Sequence, residues 1–497
     1  MTELLEAFWA YETALMANDL PALDALFTDS PSTLRGDAAG VLVGHDAISG
    51  FRRGRGGAPK REILHVEVVE ITDDTALVIA ITQPLTGGRG QQTQLWRRGA
   101  TGWTVDAAHV SLPAPAIDTR VWRTIGSPLV APVVDGPLTG QTVAVKDLYA
   151  VAGHRVGGGV PDFLVESPVA TSTAAGVQLL LDAGASVQGI AQTDEFAYSI
   201  AGKNPHYGTP PNPAVVGGIP GGSSSGPASA VALGQATIGL STDTGGSIRV
   251  PASYCGLWGL RTTHAAVPVD GLLPLSPSFD TVGWVTRDAA TLAAVASVSL
   301  GEQRPVDASF VVDPALLAHV EPDVRSAFEP YLAYEHVELG DFDHYFETFR
   351  TVQAAEAWRS HGAWIEAHPG ALGADIAARF AWASTITLVQ EEKARDDVAA
   401  AREHLERVIG DRVLLLPSAS SAAPSATADA AAIERTRAGT LRLTCIAGLT
   451  GRPGLSVPVM SVPQPGALLP APVGLCLVGP RNTDLALIEL AVSTFAT

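Results

Sequence analysis

Two serines in glycine-rich segments are the residues of this 497-residue chain whose surroundings best suit chemistry. Ser247 follows two glycines in the run STDTGGSIR, and Ser223 follows two glycines in the run GGSSSG. Between Asn204 and Thr242 the chain contains no Asp, Glu, Lys or Arg. A charge-free stretch of this length is typical of an interior, although interiors are rich in Leu, Val and Ile rather than Gly, Ser and Pro. The composition therefore indicates buried backbone shaped around a reactive group.

Ser247 has the surroundings expected of a nucleophile. Two glycines before a serine allow a sharp turn that points successive N–H groups at one place, the geometry of an oxyanion hole. A serine hydroxyl is a weak nucleophile until a base removes its proton. The flanking Asp243 and Arg249 can brace the turn, but a guanidinium does not release its proton. A Ser-His-Asp arrangement would need a distant histidine such as His206 or His264.

A lysine upstream is a better base. The run TVAVKD is predicted to be an apolar strand that ends at Lys146. A lysine in a water-poor site loses proton affinity and can act as a base near neutral pH. A single lysine after an apolar run is usually a solvated strand end, so the assignment of Lys146 depends on the two serine segments.

The segments AVKD, GGSSSG and DTGGSIR, in this order and spacing, resemble the amidase signature family of Ser-Ser-Lys hydrolases. The resemblance extends to 193–208 (TDEFAYSIAGKNPHYG), 251–260 (PASYCGLWGL) and 278–287 (SFDTVGWVTR). It implies an α/β domain with a mixed central sheet covered by helices. It also implies hydrolysis of the C–N bond of a small amide, which releases ammonia or an amine and a carboxylic acid, without a cofactor or a metal.

The resemblance also implies roles for individual residues: Lys146 is the base, Ser223 the bridging serine and Ser247 the acylated nucleophile. It places the oxyanion hole at four consecutive backbone N–H groups, those of Thr244, Gly245, Gly246 and Ser247. It implies a cis peptide bond between Gly222 and Ser223. Three neighbours are expected to support the site, two as a structural ion pair and one as an orienting or turn-forming hydroxyl: Asp243, Arg249 and Ser224.

The first 114 residues are predicted to form a domain of their own, followed by the amidase-like domain over 115–497. A helix over 4–27 precedes four strands with alternating apolar residues. These strands are predicted at 63–71, 75–82, 92–98 and 103–111, and the run SLPAPA that follows is typical of a linker. The pattern indicates an α+β domain with a helical layer on an antiparallel sheet.

Short segments of this first domain resemble the AtzH-like group of the nuclear-transport-factor-2-like cone folds. They are LRG, FRR, QLW and AAHVS, which begin at positions 34, 51, 94 and 107. The resemblance implies a pocket enclosed by the sheet, and five residues are candidates to line it: Arg35, Arg52, Gln94, Trp96 and His109. A second amide-cleaving site is one interpretation of this domain, and a role in dimerisation or in access to the main site is the other.

The amino-acid composition limits the classes of molecule that this protein is expected to bind. The chain has 51 acidic and 32 basic residues, a net charge of −19, which argues against nucleic acid and anionic membrane surfaces and favours a neutral or weakly polar small molecule. The cysteines at 255, 445 and 476 have neither paired nor metal-ligand spacing, and the acidic N-terminus is unlike a signal peptide. We therefore expect a cytoplasmic protein without membrane association, assembled as a homodimer.

Three classes of function remain open at this point. The first is a hydrolase of a small amide, with arylalkyl primary amides, ureido or carboxyurea compounds and carbamates as candidate substrates. The second is an amidotransferase-like subunit that passes ammonia to an acceptor, which needs a partner chain. The third, a non-catalytic scaffold, is disfavoured because Lys146, Ser223 and Ser247 are all present and no repeat of about 34 residues is found.

Overall fold

The protein is described by a computed structural model that covers residues 2–37, 40–54, 57–58, 60–84, 90–111, 117–464 and 469–495. The chain divides into two compact units, Met1–Ile117 and Asp118–Thr497. The predicted domain boundary between 114 and 115 lies outside the described residues.

The N-terminal unit contains helices and one sheet. The helices in its described part are α1 (Thr2–Ala17), α2 (Leu20–Ala25) and α3 (His45–Gly54). The strands are β1 (Leu34–Asp37), β2 (Gly40–Val43), β3 (Arg61–Thr72), β4 (Thr75–Pro84), β5 (Gly90–Gly99) and β6 (Gly102–Ser111). Their order in the sheet is β2-β1-β6-β5-β4-β3.

The expectation of a wholly antiparallel sheet is wrong at one pair. β1 runs parallel to β6, whereas the other neighbouring strands are antiparallel. β1 and β2 have four residues each, which is too short for a reliable alternating pattern. The partner β6 lies far along the sequence, so tertiary packing rather than a local turn sets the direction of β1.

The predicted single helix over 4–27 is two helices. α1 ends before Asn18, whose φ of +53° lies in the left-handed region that a helix cannot continue through. The Asp19 carboxylate then accepts the N–H of Ala22 (3.1 Å), and Pro21 stands in the first turn of α2. An N-cap carboxylate followed by proline is a helix-start pattern, and it was hidden here by the continuous apolar spacing.

The C-terminal unit is an α/β structure with a mixed sheet and helices, as predicted. The strands of its described part are β7 (Trp122–Val130), β8 (Thr142–Lys146), β9 (Ser186–Ala191), β10 (Ile238–Asp243), β11 (Trp258–Arg261), β12 (Thr281–Thr286), β13 (Phe310–Val312), β14 (Glu335–His336), β15 (Val413–Pro417), β16 (Gly454–Val462) and β17 (Ala471–Val478). Their order is β14-β13-β15-β17-β16-β11-β12-β10-β8-β9-β7.

Helices accompany this sheet along the chain. In the described residues they are α4 (Pro161–Glu166), α5 (Ala175–Asp182), α6 (Ser225–Ala232), α7 (Arg249–Cys255), α8 (Ala289–Ser299), α9 (Pro322–Phe328), α10 (Phe342–Ala367), α11 (Ala374–Ala383), α12 (Leu388–Ile409), α13 (Ala430–Thr450) and α14 (Asp484–Phe495).

Two central strands bring the predicted catalytic segments together. β8 and β10 are parallel neighbours, with Val145 opposite Leu240. Their residues are almost wholly buried, which explains the apolar runs, because a parallel strand covered on both faces has no solvent side. Parallel strands end at the same edge of a sheet, so Lys146 and Asp243, the last residues of β8 and β10, lie at one edge.

Candidate active site

Lys146 is fully buried at the end of β8. Its Nζ donates hydrogen bonds to Ser223 Oγ (2.8 Å) and to Thr242 Oγ1 (2.8 Å). Burial lowers the pKa of Lys146 to about 7, and nearby carboxylates, Asp194 foremost, only partly oppose this. A large fraction of this lysine is therefore neutral near pH 7 and able to accept a proton.

The segment before α6 holds Ser223 against the lysine. The Gly222–Ser223 peptide bond is cis, as the resemblance implies. A Cβ at Gly222 would lie 2.4 Å from Asp194 Oδ2, so no larger residue fits there without displacing this carboxylate. The Ser223 carbonyl accepts the N–H of Asp194 (3.2 Å), and the Ser224 hydroxyl donates to the Thr242 carbonyl (3.3 Å). Ser224 thus links the segment before α6 to strand β10.

Asp243 organises the loop that presents Ser247. Its Oδ1 accepts the N–H of Gly246 (2.8 Å) and its Oδ2 that of Ile248 (3.1 Å). Arg249 donates to both carboxylate oxygens (3.0 and 2.8 Å), and Arg261 donates to Oδ1 (3.2 Å). Burial would raise the pKa of Asp243, but the two guanidinium groups outweigh it and hold the pKa well below its usual range. The predicted Asp243–Arg249 pair is therefore part of a buried three-residue network.

This network changes one predicted role. The Gly246 N–H is committed to Asp243 Oδ1, which removes it from the four amides predicted for the oxyanion hole. The Gly246 amide instead stabilises the turn. The amides of Thr244, Gly245 and Ser247 remain as candidate hydrogen-bond donors to the oxyanion. The Gly245 carbonyl is fixed by the Thr444 hydroxyl (2.6 Å), so the orientation of the turn depends on α13 as well.

Ser247 borders one of two adjoining cavities. The side chain is only 3% exposed and borders a cavity of about 10 Å³, together with Gly245. A second cavity of about 800 Å³ lies beside it and is lined largely by residues of α10, α11 and α13. Three residues line both cavities: Tyr198, Gln353 and Arg437.

The histidines that a Ser-His-Asp arrangement would need are engaged elsewhere. His206 Nε2 lies 2.8 Å from Glu195 Oε1, and His264 Nε2 lies 3.0 Å from the Pro277 carbonyl oxygen. Neither borders the cavity at Ser247. Within the described residues, the hydrogen bonds of Lys146 are with Ser223 and Thr242, and no histidine takes part in them.

The described residues contain neither a cluster of metal ligands nor a membrane-spanning helix. Within the ranges given above, no group of three or more His, Cys, Asp or Glu side chains is arranged to hold a metal ion. No helix in the described part of the chain combines the length and apolar character needed to cross a bilayer.

The N-terminal unit has a small cavity of about 30 Å³ that is bordered by arginines. Of the five predicted lining residues, Arg35 and Arg52 border it, together with Tyr11 and Arg61. Arg61 is paired with Glu12 (2.8 Å), and burial lowers the pKa of Arg52. Arg35 and Arg52 therefore lie at one cavity, and their role in binding a ligand stays a prediction.

The other three predicted residues do not border this cavity. Gln94 and Trp96 are buried on one face of β5, where the Trp96 indole donates to Gln94 Oε1 (3.1 Å) and packs edge-on against Tyr11. His109 is exposed on β6. Alternation along the strands therefore places Gln94 and Trp96 in the core and His109 on the outside.

Several residues of the main site were not among the predicted site residues. Thr242 and Asp194 lie within or beside the recognised segments, and a search for polar side chains adjacent to the motifs would have found them. Arg261 lies on β11, and it meets Asp243 only because β10, β12 and β11 are neighbours in the sheet. Gln353 and Arg437 lie on long helices whose sequences carry no motif.

Both parts of the chain are similar to known protein families. The sequence profile of the family described as Amidase matches residues 131–331, and the AtzH-like profile matches residues 1–115. Amidase 1 of Arabidopsis thaliana is 35% identical over 402 residues, which is 72% of this chain and 93% of the relative. The 2-amino-5-chloromuconic acid deaminase of Comamonas testosteroni is 31% identical over 417 residues, covering 78% and 86%.

Solved structures are similar over the same region. A crystal structure of an amidase superimposes with a TM-score of 0.67 at 28% identity and covers 76% of this chain and 92% of that one. A structure described as part of a vestigial protein complex, related to the origin of an s-triazine catabolic enzyme, has a TM-score of 0.66 at 26% identity, covering 73% and 85%. The chain therefore belongs to the amidase signature family, enzymes that hydrolyse amide C–N bonds, and carries an AtzH-like domain at its N-terminus.

Proposed function

We propose that this amidase cleaves a small linear amide through an acyl-enzyme on Ser247, with Ser223 and Lys146 as the proton relay. The observation that carries the proposal is the buried hydrogen bond of 2.8 Å between Lys146 Nζ and Ser223 Oγ. A lysine with a pKa of about 7, held against a serine hydroxyl, is a base matched to neutral pH.

Acylation begins when neutral Lys146 takes the proton of Ser223. Ser223 in turn takes the proton of Ser247 as the Ser247 Oγ bonds to the amide carbonyl carbon. The C=O electron pair moves onto oxygen, where the N–H groups of Thr244, Gly245 and Ser247 stabilise the charge. One such donor contributes about 3–4 kcal/mol to transition-state stabilisation.

The tetrahedral intermediate collapses when the proton returns through the relay to the leaving nitrogen. The C–N bond breaks, ammonia or an amine departs, and the acyl group stays on Ser247. Water then attacks the acyl carbon and gives its proton to the same relay. Ser247 regains a proton as the C–O bond breaks, and the carboxylic acid is released.

The test is the Ser247→Ala variant, assayed by ammonia release. We expect turnover to fall by about 10⁴-fold or more while the circular dichroism spectrum stays unchanged, because removal of a nucleophile leaves only binding and oxyanion stabilisation. Ser297→Ala, on the exposed side of α8, is the matched control and should retain full activity. Ordinary turnover by Ser247→Ala would refute the mechanism.

A ureido, carboxyurea or carbamate substrate would use the same relay. The similarity to a structure connected with an s-triazine catabolic enzyme favours keeping this candidate. An ammonia-release screen over arylacetamides, aliphatic amides, biuret and allophanate distinguishes the candidates. An amidotransferase role would show as ammonia release that depends on an added partner chain and acceptor.

For the N-terminal unit we propose a cone fold whose arginine-lined cavity binds a small anion. Arg35, Arg52 and Arg61 support this because they border one cavity. An anion there would share them with the carboxylates of Asp37, Asp24 and Glu12. The test adds malonate to the wild-type protein and to Arg52→Gln and measures the midpoint of thermal unfolding of each. Malonate should raise the midpoint of the wild-type protein more than that of the variant. Equal stabilisation of both proteins would contradict the assignment.

The assembly and location of the enzyme are proposals of the same kind. We propose a homodimer in the cytoplasm, where the three buried free thiols would remain reduced. Light scattering coupled to size exclusion measures the assembly, and a monomeric mass would contradict it. Cell fractionation with a compartment marker tests the location.

A further inference from the structure

Three side chains lie where two cavities of the C-terminal unit meet. Tyr198, Gln353 and Arg437 line both the small cavity at Ser247 and the large cavity of about 800 Å³. Gln353 lies on α10, Arg437 on α13, and Tyr198 follows β9. A cavity of this size suits an ordinary small ligand. The acyl part of a bound amide would therefore extend from Ser247 past these three side chains.

Two of these residues carry side-chain polar groups that have no hydrogen-bond partner among the described residues. Gln353 is 5% exposed, and its side-chain amide makes no hydrogen bond with any residue that the structure describes. The hydroxyl of Tyr198, which is equally buried, also has no partner among the described residues. Neither group is among the fully enclosed atoms without a partner, so both are free to hydrogen-bond a ligand in the cavity. Burial raises the pKa of Tyr198 to about 12, so its phenol retains a proton to donate.

Arg437 adds a positive charge that is only partly neutralised. Its Nη1 donates to Glu434 Oε1 (2.9 Å), but this carboxylate is about half exposed and also lies 3.4 Å from Arg379. The buried Nε of Arg437 meets no acceptor in the part of the chain that the structure describes. Burial lowers the pKa of Arg437 to about 10, which still leaves the guanidinium protonated at neutral pH.

The large cavity has a charge opposite in sign to that of the whole chain. Its lining includes four cationic and two anionic side chains: Lys203, Arg350, Arg379 and Arg437, with Asp375 and Glu434. The chain itself has a net charge of −19. A cleft with an excess of one sign and low-dielectric walls concentrates ligands of the opposite sign. The local charge favours an anionic substrate, which the overall charge does not predict.

We propose that the substrate is an amide whose acyl part carries a carboxylate, as in the monoamide of a dicarboxylic acid. Arg437 binds the carboxylate, and Tyr198 and Gln353 donate further hydrogen bonds to it. A carboxylate matches these groups because it accepts several hydrogen bonds at once and neutralises the guanidinium. This inference rests on the proposed role of Ser247.

The test compares acids with matched neutral amides. Succinamate and glutaramate are paired with their methyl esters, which keep the chain length but lose the charge. We expect the wild-type enzyme to prefer each acid by about 100-fold in kcat/KM. Arg437→Gln should lower kcat/KM for the acids by about 10- to 150-fold, the effect of losing a charged hydrogen bond, and change the neutral amides by less than about 3-fold.

The control variant is Arg442→Gln. Arg442 lies on the same helix, pairs with Asp343 (2.6 Å) and borders neither cavity, so the same change of charge should leave the preference for acids intact. Loss of the preference in this control would indicate a general field rather than binding by Arg437. An equal loss on acids and neutral amides in Arg437→Gln would overturn the inference.

Binding measured without turnover separates this inference from the proposed mechanism. Calorimetry on Ser247→Ala should show binding of succinamate, weakened by about 10- to 150-fold when Arg437→Gln is added. Failure of Ser247→Ala to bind succinamate would overturn the inference even if neutral amides are hydrolysed. Ordinary turnover of succinamate by Ser247→Ala would instead refute the mechanism.

Discussion

The pH dependence of hydrolysis should report the ionisation of Lys146. Its pKa of about 7 means that about half of the lysine is neutral at pH 7, about one-tenth at pH 6 and about one-hundredth at pH 5. Because the neutral form is the base, kcat/KM should rise about tenfold per pH unit below 7 and level off above it. An ordinary lysine, with a pKa of 10.5, would still gain activity up to pH 10.

A variant of Asp194 can show whether the rising limb of the pH profile belongs to Lys146. It favours the protonated form of Lys146, so Asp194→Asn should lower the lysine pKa and move the rising limb to lower pH. Burial raises the pKa of Asp194 itself to about 6, and a limb that belonged to this carboxyl would vanish in the variant instead of moving.

The assay is ammonia release between pH 5 and 9, with tryptophan fluorescence recorded at each pH to confirm folding. Asp147→Asn is the control, since Asp147 also has a pKa raised by burial to about 6 but is not among the charges that shift Lys146. The control should keep its limb near pH 7. A wild-type profile that is flat from pH 6 to 8, or that breaks near 10, would refute the assignment of Lys146 as the base.

Three further variants probe how the site is held. Asp243→Asn leaves two buried guanidinium groups without their carboxylate and should lower the free energy of unfolding by about 3–5 kcal/mol, measured by urea denaturation; an unchanged midpoint would contradict this. Gly222→Ala places a Cβ 2.4 Å from the Asp194 carboxylate and should therefore reduce both stability and kcat. Activity equal to that of the wild-type enzyme would show that the segment around Gly222 can shift. Thr242→Val removes a hydrogen-bond acceptor of Lys146, so kcat should fall by about tenfold while KM is retained, and a change in KM alone would place Thr242 in substrate binding.

Much of the catalytic centre could be predicted from the sequence because its requirements are local. A serine after two glycines, a charge-free run and a lysine at the end of an apolar strand each reflect a constraint on backbone shape or burial within a few residues. The α/β character of the C-terminal unit follows from the same kind of pattern, as do four strands of the N-terminal unit.

The rest depends on contacts between distant segments. Pairing of β8 with β10 brings Lys146 to Thr242, and the order of β10, β12 and β11 brings Arg261 to Asp243. The commitment of the Gly246 amide to Asp243 depends on side-chain geometry that no spacing reveals.

The family, the reaction and the three residues proposed to carry it could be inferred from the sequence, because short segments with strict backbone requirements encode them. The surroundings of Ser247 became apparent only from the fold. Tyr198, Gln353 and Arg437 come from separate parts of the chain, and they meet at Ser247 because α10 and α13 pack beside the site. Helical periodicity shows which face of a helix is buried, but not that a buried glutamine or arginine there faces a substrate.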